Sequence, residues 1–228
     1  MPVITISRQF GAAGAPIGRA LAERFGAEFL DRAIVAQAAI RAGIPEHELE
    51  SYDERLPTMW QRVASALAAA PEPAIAGVPF SASLAPMSVH ERLVEITRGV
   101  IEEAADRGNA VILGRGGAFI LARHPAVFHV QLHASLDARV RYLLARVEEI
   151  PKEARPEETA LRELCQTIDA ARAEYISQVF GADWRDVTHY DLALDTGNLG
   201  VEKSTDLVEA AVRAAERPAE RPAPRAAS

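Results

Sequence analysis

One cysteine, 6% aromatic residues and no apolar run approaching 18 residues mark what this 228-residue chain lacks. A lone thiol, Cys165, excludes an internal disulfide and a multi-cysteine zinc site, and its place in a helical pattern predicts a half-buried structural role. The short apolar runs exclude a membrane-spanning helix, and the opening MPVITISR lacks the charged-then-apolar layout of a signal peptide. Basic charge is also in deficit: 25 Lys and Arg against 32 Asp and Glu leave −7 at pH 7. That balance removes any general attraction to nucleic acid or anionic membrane, and it leaves room for a local basic pocket. The expectation is a cytoplasmic protein with neither nucleic acid nor membrane as partner. The histidines predict no metal site. His129 and His133 are four apart in a strand-like run, which separates them by about 13 Å at a rise of ~3.3 Å per residue. His90, His124 and His189 have no neighbour at ligand spacing.

What is present is 49% hydrophobic content, enough for a sizeable core in one domain spanning 1–216. VITIS (3–7) predicts a buried strand closed by a glycine turn. The helix after it places Ile17, Leu21 and Phe25 on one face, with Gly26 as its C-cap. AEFLDR (27–32) is extended and 33–43 helical, and 44–88 is irregular and proline-interrupted around a helix near 58–70. An amphipathic helix over 89–107 breaks at Gly108-Asn109 before a strand at 110–114. A strand at 126–134, helices at 136–150 and 156–180, a strand at 190–196 and a helix over 201–217 follow. The last stretch, 217–228, is too rich in Pro and Ala to pack and predicts a disordered tail. Short buried strands alternating with helices imply an α/β fold: a three-layer parallel sheet with helices on both faces. Ligands in such sheets sit beyond the carboxyl ends of the strands, where Gly11–Gly14 and Gly114–Gly116 both fall.

Three segments could carry chemistry. In Gly11-Ala12-Ala13-Gly14, small residues permit a tight turn, and the helix that follows turns its positive end toward a ligand. Taken alone, this reads as a purely structural strand-to-helix turn at least as well as a phosphate loop. A Walker loop, GxxxxGK[ST], would bring a Lys to the phosphates and a hydroxyl to Mg²⁺, whereas this chain has Gly14, Ala15 and Pro16 there. Arg8, just before the turn, either replaces the missing charge or is a solvated arginine. Arg115, framed by glycines after a buried strand, suits bidentate contact with phosphate, or a salt bridge at a strand end. Asp169 and Arg172, three apart on a helix, read either as a surface ion pair of small value or as part of a lid bringing Arg172 onto a transferring phosphoryl group.

The ordered set ITISRQFGAAGAPIGRALAERFG, FLDR, VILGRGGAFIL and DAARAEYISQVFGADWRDVTHYDLALDTGNLG resembles the cytidylate kinase-like family, a branch of the P-loop nucleoside monophosphate kinases. The resemblance runs from about residue 3 to residue 210 and weakens across 44–88, where such a kinase carries its substrate-binding segment. It implies a P-loop fold with helical substrate-binding and lid segments, the lid at about 156–180. It further implies transfer of the ATP γ-phosphoryl, with Mg²⁺ bridging the phosphates, to CMP or dCMP. By position, Arg8, Gly11, Ala12, Ala13, Gly14 and Ala15 would serve the ATP phosphates. Asp31, Arg32 and Arg115 would hold the acceptor, and Arg115, Asp169 and Arg172 would act in catalysis. The neutral Ala15-Pro16 pair departs from the family pattern. Loss of the loop cation predicts a rate lower by ~10²–10³, by analogy with removal of one preorganised electrostatic donor. A catalytically silent nucleotide-binding module, or a kinase of another small molecule, is therefore the alternative.

Overall fold

The structure is a computed structural model that describes residues 1–31, 38, 40, 42–43, 89–147 and 156–216. Arg32, the helix expected across 33–43, the whole of 44–88 and the tail at 217–228 lie wholly or largely outside these residues.

Five parallel strands form one sheet: β1 (Val3–Arg8), β2 (Glu28–Leu30), β3 (Ala110–Leu113), β4 (Val127–His133) and β5 (Leu192–Asp195), in the order β2-β3-β1-β4-β5. Continuous apolar runs make these strands buried on both faces, as crossover helices demand. One face carries Ile4, Ile6, Val111, Leu113, Val130 and Leu132. These pack against Ile17 and Leu21 of α1 (Gly14–Phe25) and Val208 and Val212 of α6 (Thr196–Glu216). The alternate residues Val3, Ala110 and Ile112 face Ile101, Ala104 and Ala105 of α2 (Val89–Arg107), with Leu121 just beyond α3 (Gly117–Ile120). The period of two in the strands and the i, i+4 spacing in α1 thus meet in one core.

A satellite core joins α4 (Leu136–Val147) to α5 (Glu158–Phe180): Val140 and Leu143 pack against Leu161 and Cys165. Cys165 is fully buried rather than half-buried, and removal from water pushes its thiol pKa up to about 11. The sequence-predicted boundaries hold with small shifts. Gly26 ends α1 with φ 59°, Ala27 N–H donating to the Ala22 carbonyl at 2.8 Å. The predicted strand at 190–196 stops at Asp195, because the Asp195 carboxylate accepts from Gly197 N–H (2.9 Å) and turns the chain into α6. That helix kinks at Gly200, with φ 74°, so the helix predicted from 201 begins five residues early.

Two outcomes are expected. Ile17→Ala, at a side chain with no exposure, costs about 2–5 kcal/mol of unfolding free energy in urea titration. Folded protein keeps Cys165 protonated toward pH 11 while the unfolded chain ionises near 9, so this group's contribution is full below pH 9 and is lost as pH rises through that window. A thiol reagent at pH 8 accordingly labels the urea-unfolded chain and leaves the folded one unlabelled over the same time; fast native labelling would refute this burial.

Candidate functional site

The chain leaves β1 toward the β2 edge and leaves β3 toward the β4 side, so a crevice opens beyond the carboxyl ends of these two neighbours. The turn 9–13 forms one lip, and its backbone is held from several directions. Gln9 N–H donates to the Leu132 carbonyl (3.0 Å), and the Gln9 amide oxygen accepts from Ala134 N–H (3.0 Å). Phe10 N–H donates to Asp169 Oδ1 (2.8 Å), while Arg139 Nη1 donates to the Phe10 carbonyl (3.1 Å). Thr196 Oγ1 donates to the Ala12 carbonyl (3.2 Å). Gly11 (φ 81°) and Ala13 (φ 54°) occupy the left-handed region, which brings the chain around into α1. Ala13 gives α1 no side-chain cap, and among the described residues Gly14 and Ala15 N–H find no backbone partner. Pro16 has no N–H to offer. An uncapped helix start with two inward amides suits an anion.

Arg8, the last residue of β1, runs across this opening. A Cβ on Gly14 would stand 2.7 Å from Arg8 Cγ, and one on Gly114 would stand 2.8 Å from Arg8 Cζ. The two glycines therefore admit the Arg8 side chain between α1 and the end of β3. Beyond Gly114, Arg115 is itself left-handed at φ 56°, followed by Gly116 at φ 71°. A non-glycine residue in that region is strained by roughly 1–2 kcal/mol and concentrates at functional sites. Burial, then the charges of Arg172 and Arg115, hold the Arg8 pKa well below its ordinary value, with Asp169 and Asp31 opposing. Arg172 is 22% exposed, and burial lowers its pKa to about 10 against the pull of Asp169. Three arginines thus share a half-dry crevice, where an anion would relieve their repulsion.

Most of the sequence-predicted residues converge here. Arg8, Gly11–Ala15 and Arg115 line the strand ends, and Asp31 lies in the field of Arg8 while pairing with Arg19 at 3.8 Å. Arg172 Nη1 donates to the Arg8 carbonyl (2.8 Å) and lies 3.6 Å from Asp169. The pair is not a solvated surface pair: Asp169 is 5% exposed. Arg172 also arrives on a packed wall, since α5 buries Leu161, Cys165, Ile168 and Ile176.

Sequence reasoning missed Arg139, whose Nη1 meets Asp169 Oδ2 at 2.6 Å. It also missed an aromatic group behind Gly116. Phe180 fills the space a Cβ on Gly116 would take and stacks on Phe119 with ring centroids 5.6 Å apart. Tyr190 O–H lies against the Trp184 carbonyl (2.8 Å) and Ser7 Oγ (3.2 Å). His129 Nδ1 bonds Thr5 Oγ1 at 2.7 Å, a structural use of that ring.

The residues present do not build a cage for Mg²⁺. The turn brings no hydroxyl at Gly14, Ala15 or Pro16, and the described residues contain no group of three or more His, Cys, Asp or Glu able to hold a metal. None of the described helices is long and apolar enough to cross a membrane.

Comparison with known proteins gives a family and a set of partial or remote likenesses. A cytidylate kinase of Pyrobaculum aerophilum is 32% identical over 99 residues, which cover 43% of this chain and 50% of that protein. A uronate isomerase of Corynebacterium glutamicum is 30% identical over 112 residues, covering 49% of this chain and 20% of that protein. The chain thus spans half or less of the curated relatives it matches. In three dimensions it resembles an uncharacterized protein from Eubacterium ventriosum (TM-score 0.64, 16% identity, 93% of this chain and 99% of that one). It also resembles a gluconokinase from Sinorhizobium meliloti (TM-score 0.51, 14% identity, 94% of each chain). At such identities the likeness concerns the fold, which is the P-loop kinase fold. Residues 3–198 match the model of one family over most of the chain, and the chain belongs to the cytidylate kinase-like family.

Proposed function

We propose that this chain is a kinase that moves the γ-phosphoryl group of ATP to a nucleoside monophosphate, CMP or dCMP. The observation that carries this reading is the convergence of Arg8, Arg115 and Arg172 on a turn whose helix start has free amides. Gly11 to Ala15 and the α1 N-terminus receive the ATP phosphates, with Arg8 supplying charge where a Walker lysine is absent. Arg115 holds the acceptor phosphate, with Asp31 and Arg32 at the monophosphate site, and an oxygen of that phosphate attacks the γ-phosphorus as the bond to the β-γ bridging oxygen breaks and ADP leaves. That oxygen is already an anion, so no base is needed, and catalysis reduces to positioning and charge neutralisation. Arg172 neutralises the transferring group, and Asp169 acts on it through the turn. The chain's own residues would leave any Mg²⁺ to be held by the substrate phosphates, where it would supply charge neutralisation.

A second reading, a nucleotide-binding module without turnover, is favoured by the neutral Gly14-Ala15-Pro16 segment and by Arg172 being engaged with the Arg8 carbonyl. Titration calorimetry with ATP, CMP and dCMP, paired with a coupled assay of ADP release, separates the two. The kinase reading expects CDP or dCDP formation. Binding without ADP release with any monophosphate selects the module.

Arg115 gives a sharper test, because its charge and its backbone strain pull in opposite directions. Arg115→Gly relieves the left-handed conformation and gives up the guanidinium's contacts, so stability is expected to stay within about 1 kcal/mol of the wild type. Turnover is expected to fall by ~10²–10³. Thermal unfolding and steady-state kinetics on the same sample read both. A joint fall in stability and activity would identify Arg115 as a structural arginine and remove it from the site.

A further inference from the structure

Arg139 and Asp169 are 7% and 5% exposed, and both hydrogen-bond a single residue of the turn. One nitrogen, Arg139 Nη1, donates to Asp169 Oδ2 (2.6 Å) and to the Phe10 carbonyl (3.1 Å). The other carboxylate oxygen, Oδ1, accepts from Phe10 N–H (2.8 Å). The pair thereby grips Phe10 by its N–H and its carbonyl together. The next residue is confined by the same side chain: a Cβ on Gly11 would stand 3.0 Å from Arg139 Cβ and 3.2 Å from the Arg139 carbonyl. Arg172, one turn after Asp169, donates to the Arg8 carbonyl, so α4 and α5 between them hold Arg8, Phe10 and Gly11.

From this geometry we infer that Arg139 and Asp169 are a positioning pair that sets the turn in its phosphate-receiving shape before any ligand arrives. Neither side chain reaches the crevice surface, so each acts through the Phe10 peptide and not on the ligand. Taking two charges out of water is costly, and Arg139 Nε stays buried without a hydrogen-bond partner, so stability alone does not account for the pair, whereas the conformation it holds does. That conformation is a turn with two residues, Gly11 and Ala13, in the left-handed region. A ligand meeting a turn already so held is spared the cost of ordering it. The inference rests on the proposal that this turn receives phosphates.

The test uses the full chain and inorganic tripolyphosphate, which probes the turn without a nucleoside or turnover. The double variant Arg139→Met/Asp169→Leu removes both charges at similar volume and is expected to melt near the wild type. It is expected to bind tripolyphosphate about ten- to a hundredfold more weakly in calorimetric titration. Arg139→Met/Asp169→Asn returns an oxygen to Phe10 N–H and is expected to recover part of that loss, which a purely packing role would not produce. Should the Met/Leu pair unfold at assay temperature, Arg139→Lys replaces it, keeping the charge and losing the guanidinium fork, with weakened binding again expected.

Met/Leu affinity within about twofold of wild type overturns the proposal. An equal loss in the Asn variant assigns the effect to packing and overturns it as well. Wild-type protein that fails to bind tripolyphosphate defeats both this inference and the kinase reading. Wild-type binding that the Met/Leu variant loses and the Asn variant partly regains, with no phosphorylated monophosphate formed from ATP, supports this inference while the kinase reading fails.

Discussion

The crevice depends on a carboxylate that is nowhere near its surface. Asp169 sits on α5, whose Leu161 and Cys165 belong to the satellite core, and it divides its oxygens: Oδ1 accepts from Phe10 N–H in the turn after β1, and Oδ2 accepts from Arg139 of α4. Removing one member of a buried, hydrogen-bonded ion pair costs about 3–5 kcal/mol, because the other charge stays behind without a partner. Against a marginal stability of roughly 5–15 kcal/mol, the loss of one partner alone is a large fraction of the total. The pair thus links the turn to the contact between α4 and α5.

This arrangement also changes what the glycines mean. Read as sequence, Gly14 and Gly114 belong to two phosphate-binding segments whose bare backbones admit a ligand. In the folded chain they first admit Arg8, whose stem passes Gly14 and whose guanidinium lies against Gly114. Gly11, the remaining glycine of the turn, is bare because α4 stands against it. The turn, which lacks a lysine, thus has the Arg8 side chain laid into it from the preceding strand, with glycines clearing the path. An acidic chain of net charge −7 still concentrates three arginines at one sheet edge, where low exposure raises the strength of each charge.

Much of this was legible in the sequence. Strands rich in Val and Ile between amphipathic helices specify a doubly covered parallel sheet, and the turn, Arg8, Asp31 and Arg115 fall together once that topology is assumed. Arg139 was not legible, for a physical reason. LDARVRYLLARV carries arginines at 139, 141 and 146, and the pattern reads as a basic, solvated helix face. Which arginine turns inward is decided by Asp169, thirty residues on, and no local periodicity encodes that pairing. The Asp169–Arg172 spacing misled in the opposite sense, since a three-residue interval is common on exposed helices. The start of α6 was misplaced because a side-chain cap, Asp195, overrode the weak helix signal of Gly197 and Asn198.

The burial of α5 bears on how Arg172 meets a phosphate. A lid that swung would have to expose Leu161, Ile168 and Ile176, each 6% exposed or less. At about 1.5–3 kcal/mol for each large apolar side chain, that motion would cost roughly 5–9 kcal/mol, most of the stability of a domain this size. A closure of that cost would leave the competent state too rare to support turnover. Arg172 is instead held in place beforehand by the Arg8 carbonyl and by Asp169. Preorganised charge of this kind requires no reorganisation when the transferring group passes, which is the condition under which electrostatic stabilisation is strongest. Under the proposed kinase reading, α5 would be a fixed electrode of the crevice, and the substrates would make the approach that brings charge to charge.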